Sequence, residues 1–192
     1  MRASRVDDGV VTTKGRLLVA TPLLRDPNFD RTIVLMLEHS DVGALGIVLN
    51  RPSPLSVADA IDDWADAATS PKVVFVGGPV ETGSVIALAR RAGELPDGAW
   101  TDVLGPIGVI DISGDAALLS AELAGVRIFT GYAGWGPSQL EGELAEGAWW
   151  VVDAEVDDAL TTDPDDLWST VLGRQPADLR KYSHFPIDVR TN

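Results

Sequence analysis

Residues able to do chemistry are sparse in this 192-residue chain. The two histidines are His39 and His184. There is no cysteine, which removes disulfides, thiolate ligands and a cysteine nucleophile together. Glu38, His39 and Glu143 are the residues that could act as acid and base in an enzyme. The sequence carries neither a GxSxG elbow nor a P-loop, and an adjacent Glu-His pair at a hairpin turn reads better as the end of a strand than as a dyad. His184, between Ser183 and Phe185, has no obvious partner. Asp157, Asp158, Asp163, Asp165 and Asp166 fit no calcium loop, and Asp163 with Asp166 reads as helix capping. On the residues alone, no catalytic residue, metal ligand or cofactor is assigned.

A different kind of site is spelled by Gly131-Tyr132-Ala133-Gly134-Trp135-Gly136, a turn that combines glycines with two large rings. Its spacing is GxxGxG rather than the dinucleotide GxGxxG, and no acidic ribose partner is identifiable. Two further loops, Asn50-Arg51 and Gly77-Gly78, also stand directly after apolar runs. If these three strand ends converge, they frame a crevice of the kind in which α/β proteins hold ligands. Arg51 would clamp a carboxylate or phosphate, while Tyr132 and Trp135 would cover a planar or apolar group. Gln139 and Glu143, one helical turn apart, would add polar contacts. The helix expected after Gly136 would offer its N-terminus to an anion, although Pro137 removes one donor. The expected ligand-binding set is therefore Asn50, Arg51, Gly77, Gly78, Tyr132, Gly134, Trp135, Gln139 and Glu143. The alternative is that the glycines only turn the chain, that Trp135 seals the core edge and that Asn50-Arg51-Pro52 only ends a strand.

The elements that must position these residues follow from apolar patterning. Residues 15–20 form a short strand, and residues 33–37 and 45–49 form a hairpin about Ser40-Asp41-Val42-Gly43. Their unbroken apolarity predicts cover on both faces. A helix begins at Ser56 with Val57, Ile61, Trp64, Ala65 and Ala68 on its buried stripe. Residues 72–76, 84–89 and 107–112 are predicted strands. Residues 113–124 form a helix capped by Ser113, with Gly125 past its end. The strand 126–130 then leads into the glycine-rich turn. A short helix over 137–145, a strand over 148–152 and a helix burying Leu167, Trp168, Val171 and Leu172 follow. Adjacent Trp149 and Trp150 must point to opposite faces of their strand, the outward one either exposed or covered by a helix. The tail holds a turn of helix and an extended end, Phe185-Pro186-Ile187. Hairpin-like and alternating pieces together predict an α+β fold with a mixed sheet.

Hydrophobic residues make up 45% of the chain. A chain of this length buries on the order of 70% of its unfolded surface, so it needs no metal or disulfide for stability. Residues 1–13 read as a loose N-terminal arm and 14–192 as a single domain. The N-terminus lacks the apolar stretch of a signal peptide, and no apolar run nears the roughly 20 residues of a spanning helix. A cytoplasmic protein without a membrane partner is expected. Acidic residues outnumber basic ones 29 to 15, a formal net charge of −14. That balance repels phosphate backbones and disfavours nucleic acid as a partner; the acidity itself reads as solubility.

Several segments, in order, resemble the AlgH/YqgE family of small bacterial proteins. They are Gly15-Arg16-Leu17-Leu18-Val19-Ala20-Thr21-Pro22, Asp26-Pro27-Asn28-Phe29 and Gly43-Ala44-Leu45-Gly46-Ile47-Val48-Leu49-Asn50-Arg51-Pro52, then Val76-Gly77-Gly78-Pro79-Val80 and Gly131-Tyr132-Ala133-Gly134-Trp135 with Gln139-Leu140-Glu141. The likeness runs from about residue 15 to residue 173, with Pro137-Ser138 departing from a glycine-containing spacer and the N-terminal arm an addition. It implies an α+β fold with a strongly bent, partly barrel-like mixed sheet flanked by helices. It implies no activity and no catalytic residues, since the family has none agreed; one member is named for an effect on transcription of a polysaccharide pathway. The expectation is a non-enzymatic regulatory or accessory protein that binds an unknown small molecule or protein partner through the crevice. The alternatives are an enzyme using Glu38, His39 or Glu143, and a regulator acting directly on DNA.

Overall fold

The computed structural model describes residues 12–184. Ten strands join in one sheet: β1 (Arg16–Ala20), β2 (Ile33–Ser40), β3 (Gly43–Val48), β4 (Pro52–Ser56), β5 (Val73–Val76), β6 (Val80–Arg91), β7 (Trp100–Leu104), β8 (Ile107–Ile110), β9 (Leu123–Trp135) and β10 (Trp149–Asp153). The main order is β10-β1-β2-β3-β9-β6-β8-β7, with β4 and β5 off this path. β5 runs parallel to β9, and the other ladders are antiparallel. Five short helices accompany the sheet: α1 (Val57–Ala60), α2 (Ala116–Ser120), α3 (Gln139–Ala145), α4 (Leu167–Gly173) and α5 (Ala177–Arg180). The architecture is the α+β half-barrel that the resemblance implies. Its curl brings the end of β7 round to Gly15, just ahead of β1. A Cβ on Gly15 would lie 2.8 Å from the Val103 carbonyl oxygen. With φ at 73°, that position requires glycine twice over.

Alternation along each strand sends side chains to two faces, and both faces are covered. Leu17 and Val19 of β1 point into the inner core with Ile33, Leu35, Ile47, Phe75, Leu88 and Phe129, closed by Leu167, Trp168, Val171 and Leu172 of α4. Leu18 and Ala20 point the other way, to Val34, Met36, Ala133, Trp135 and Trp149 beneath Leu140 of α3. A third cluster covers the outer face of the other half, joining Ala87, Ala89, Val126 and Ile128 to Val57, Trp64 and Leu119. Two-sided cover explains why β1 and β2 read as unbroken apolar runs. The tryptophan pair resolves the same way. Trp149 is buried in the outer cluster, while Trp150 packs on the inner core with its ring 5.0 Å from that of Tyr182.

The structure departs from the sequence reading at several joints. The helix that begins at Ser56 breaks at Ile61 (φ −148°, ψ 80°) and resumes as a 3-10 turn over Asp62–Trp64, yet Val57, Trp64 and Ala68 still share one cluster. The helix expected over 113–124 is confined to α2, capped by the Asp115 carboxylate rather than by Ser113. The chain then enters β9 at Leu123, because β6 runs on to Arg91 and supplies a ladder that outcompetes helix. β4, with two prolines, and β7 were not anticipated as strands; β4 pairs only with β5, in an irregular register, where proline is tolerated. Asp166 stands at the start of α4 without a side-chain capping bond, and the Asp163 backbone N–H donates to Thr161 Oγ1. Phe185-Pro186-Ile187 and residues 1–11 of the expected arm lie outside the described residues. Thr12 and Thr13 are described, and Thr13 is buried.

Candidate functional site

The largest departure concerns the glycine-rich segment, which continues as strand. β9 runs unbroken through Gly131 to Trp135, and its last residues pair with β3, Ala44 opposite Trp135 and Gly46 opposite Ala133. The turn comes later, at Gly136-Pro137-Ser138, where Ser138 takes a left-handed φ of 60° before α3. Gly131 is glycine because other backbone presses against it, a Cβ there lying 2.5 Å from the Gly78 carbonyl oxygen. A Cβ on Gly77 would lie 2.4 Å from the Gly131 carbonyl oxygen, and one on Gly78 would lie 2.1 Å from the Tyr132 carbonyl carbon. Two of the three predicted loops therefore do meet, backbone to backbone, with Gly77 donating to the Thr130 carbonyl at 2.8 Å.

The third loop joins at Gly77, where Val76 N donates to the Arg51 carbonyl and Val48 N donates to the Gly77 carbonyl, each at 2.8 Å, but its Arg51 end lies away from Trp135. Trp135 sits beside the first residues of β3 and Arg51 follows its last, so the strand's length separates them. Asn50 is buried and ties its loop to β2, its Oδ1 accepting from Ile33 N and its Nδ2 donating to the Arg31 carbonyl, both at 2.9 Å. Arg51 donates to the backbone carbonyls of Asn50 and Asp30. Burial pushes its pKa down, opposed by the nearby charges of Asp30 and Asp165. The three loops thus meet through their backbones about Gly77, with the Arg51 and Trp135 side chains at separate ends of β3.

At the Trp135 end of β9 a groove of about 630 Å³ opens between the β2–β3 hairpin and the start of β6. Tyr132, Gly134 and Trp135 line it from β9, with Val80 from β6 and Val42, Ala44 and Leu45 from the hairpin; Glu38 and Ser40 add polar groups. Val42, in the two-residue turn, is 77% exposed, an unusual place for an apolar side chain. That residue is the signal by which the hairpin tip could have been added to the predicted set. Behind the groove, Trp135 is braced rather than free. Its Nε1 donates to Glu143 Oε2 at 2.9 Å, and Trp149 Nε1 donates to the same oxygen at 2.8 Å. Gln139 Nε2 holds the other Glu143 oxygen at 3.0 Å, while its own carbonyl accepts from Gly136 N. Phe29, Trp149 and Trp135 stack edge to face, at 5.4 and 6.0 Å between ring centres. Gln139 and Glu143 therefore position an indole.

The acid-base set is not assembled either. His39 lies within β2 rather than in the hairpin turn, opposite Ala44. Its ring is 3% exposed: Nδ1 accepts from Thr13 N at 3.2 Å, and Nε2 meets Glu141 Oε1 at 2.8 Å. A backbone N–H aimed at Nδ1 places the ring proton on Nε2, which donates to the carboxylate. Glu141 is the partner that sequence reasoning missed. Its carboxyl is held below the ordinary range first by its own backbone N–H and then by His39. Glu38 turns away and pairs with Lys14 at 2.6 Å. Glu38, His39 and Glu143 thus have three separate sets of partners. Among the described residues, no group of His, Cys, Asp and Glu is arranged to hold a metal ion, and no helix is long and apolar enough to cross a membrane.

Comparison with known proteins places this geometry in a family. The AlgH-like family model matches residues 17–180. A UPF0301 protein of Streptomyces coelicolor is 48% identical over 187 residues, covering 95% of this chain and 97% of the relative. One of Mycobacterium tuberculosis is 41% identical over 181 residues, covering 93% and 90%. Among solved structures, a Corynebacterium diphtheriae protein superposes with a TM-score of 0.84 at 30% identity, covering 90% of this chain and 92% of that one. The solution structure of AlgH from Pseudomonas aeruginosa gives 0.68 at 28% identity, covering 95% and 98%. The ordered motifs, the curled sheet and these matches agree, and the chain belongs to the AlgH-like family.

Proposed function

We propose that this protein is a non-enzymatic, cytoplasmic regulatory or accessory protein. In this reading it binds an apolar or planar group, carried by a small ligand or a protein partner, in the groove between the hairpin tip and the end of β9. The observation that carries the reading is the convergence of Tyr132, Gly134 and Trp135 with the exposed Val42 on one groove of about 630 Å³. Grooves of this size, mostly apolar with a few polar groups at the rim, suit ligand recognition. Bracing from Glu143 supports it too, because it fixes the largely buried Trp135 as a rigid wall behind the groove, which need not be ordered on binding.

The test is a titration of the full chain with a naphthalene-sulfonate dye, followed by amide NMR, against Val42→Asp and Tyr132→Ala. Saturable shifts at residues 40–45 and 132–135 are expected, with affinity about tenfold weaker in Val42→Asp, equivalent to about 1.4 kcal/mol, and an unchanged melting temperature. Shifts spread elsewhere, or equal affinity in the variants, would remove the groove from any binding role.

A further inference from the structure

Arg127, in the middle of β9, is a buried cation at 1% exposure. Its Nη2 donates to the Ser70 carbonyl at 2.8 Å, and its guanidinium carbon lies 4.3 Å from the centre of the Phe75 ring. Nε and Nη1 meet no protein acceptor, and Arg127 makes no ion pair among the described residues. Desolvation pushes its pKa down to about 10, which still leaves it charged at neutral pH. A charge held this deep without a counter-ion is costly, and its field carries further through the interior than through water.

Beside it lies a cavity of about 330 Å³, at the small end of ligand sites. The register fixes the relation between the two. Arg90 of β6 stands opposite Gly125, and Leu88 stands opposite Arg127 one pleat further in, on the same face of the sheet. Thr69 is laid over Gly125, where a Cβ would come within 2.5 Å of its hydroxyl oxygen. Thr69 and Arg90 form one side of the cavity, and Asp157, Leu160, Thr161 and Thr162 form the other. Arg90 donates to Asp157 at 3.0 Å, but that carboxylate is 86% exposed, so the pair is a loose one at the rim. Thr161 Oγ1 accepts from Asp163 N, a bond that does not use its hydroxyl hydrogen.

A guanidinium, threonine hydroxyls and an uncompensated positive charge behind them form a basic spot in a chain of net charge −14. We propose that this cavity binds a small oxyanion, a carboxylate or phosphate on a short apolar body. Arg90 and the hydroxyls of Thr69, Thr161 and Thr162 are its direct ligands, Leu160 packs its apolar part, and Arg127 attracts it from one pleat behind. Asp157 gives up Arg90 as the anion enters. The site lies at the opposite end of β9 from the groove, so the two readings stand or fall separately.

The experiment titrates the full chain with inorganic phosphate and, separately, with butyrate, at constant ionic strength, followed by amide NMR. Saturable shifts are expected at Thr69, Arg90, Thr161 and Thr162 with one of the two probes, and the probe that saturates identifies the headgroup. Arg90→Gln removes a charge-assisted bond and should weaken binding about tenfold or more with an unchanged melting temperature. Arg127→Met should weaken it by a smaller factor without altering which amides shift. If Arg127→Met does not fold, Thr161→Val on the rim replaces it as the second variant, with weakened binding again expected. Shifts that never saturate with either probe, or an Arg90→Gln protein that binds as wild type does, would overturn the proposal.

Discussion

Glu143 shows how a residue with catalytic potential can be committed to architecture. One carboxylate oxygen receives both Trp135 Nε1 and Trp149 Nε1, and the two residues are 7% and 3% exposed. Removing the acceptor leaves two buried donors unpaired, at about 1–3 kcal/mol each. Glu143→Ala is therefore expected to lower stability in urea by about 2–6 kcal/mol, and Glu143→Gln by less, because an amide oxygen still accepts. A Glu143→Ala protein as stable as wild type would return Glu143 to the list of reactive groups. Glu141, on the same helix, gives the pH-dependent counterpart. Its pKa is depressed in the folded state, so the stability it contributes is present above the ordinary glutamate pKa and is lost as pH falls through the folded value. Glu141→Gln should lower stability slightly at neutral pH and make its fall in acid shallower. Urea midpoints from neutral pH down into the acid range read this directly, and an unchanged acid slope would contradict the assignment.

Among the elements, what the sequence could reveal was set by whether local pattern and tertiary pairing agreed. Strands β1, β2, β3 and β5 were legible because their apolar runs are covered on both faces, and α4 because its four buried residues repeat at helical spacing. β9 was only half legible. Its apolar first part reads as strand, but Gly131 to Trp135 reads as a turn, because the pressure that selects glycine at Gly131 comes from Gly78 and Val80, far away in the chain. The candidate site was legible in the same proportion. Tyr132, Gly134 and Trp135 line the groove, whereas Arg51 does not, since strand direction alone gave no sign that β3 separates them. The crossing itself is open to test. At Gly78, with φ at 156°, a Cβ would strike the Tyr132 backbone, and Gly78→Ala is expected to cost about 3 kcal/mol or more. Gly83, in the irregular stretch of β6, has nothing within 4 Å of a Cβ, and Gly83→Ala should stay within about 0.5 kcal/mol of wild type. Thermal unfolding of the pair reads the contrast, and equal effects would mean the two glycines serve flexibility alone.

For the whole molecule, a formal net charge of −14 on one compact chain means self-repulsion in the folded state. Raising ionic strength from about 0.01 M to about 0.15 M shortens the screening length from about 30 Å to about 8 Å and should raise the melting temperature. The same charge opposes a duplex, so no mobility shift is expected even at low salt; salt-sensitive DNA binding would restore the direct regulator. The measurement closest to the central claim is a set of intermolecular NOEs from an aromatic probe bound to the full chain. NOEs to the side chains of Val42, Leu45, Val80 and Tyr132 are the predicted result. NOEs confined to Leu23 or Leu118, exposed apolar residues at 73% and 72% that lie outside the groove, would contradict it.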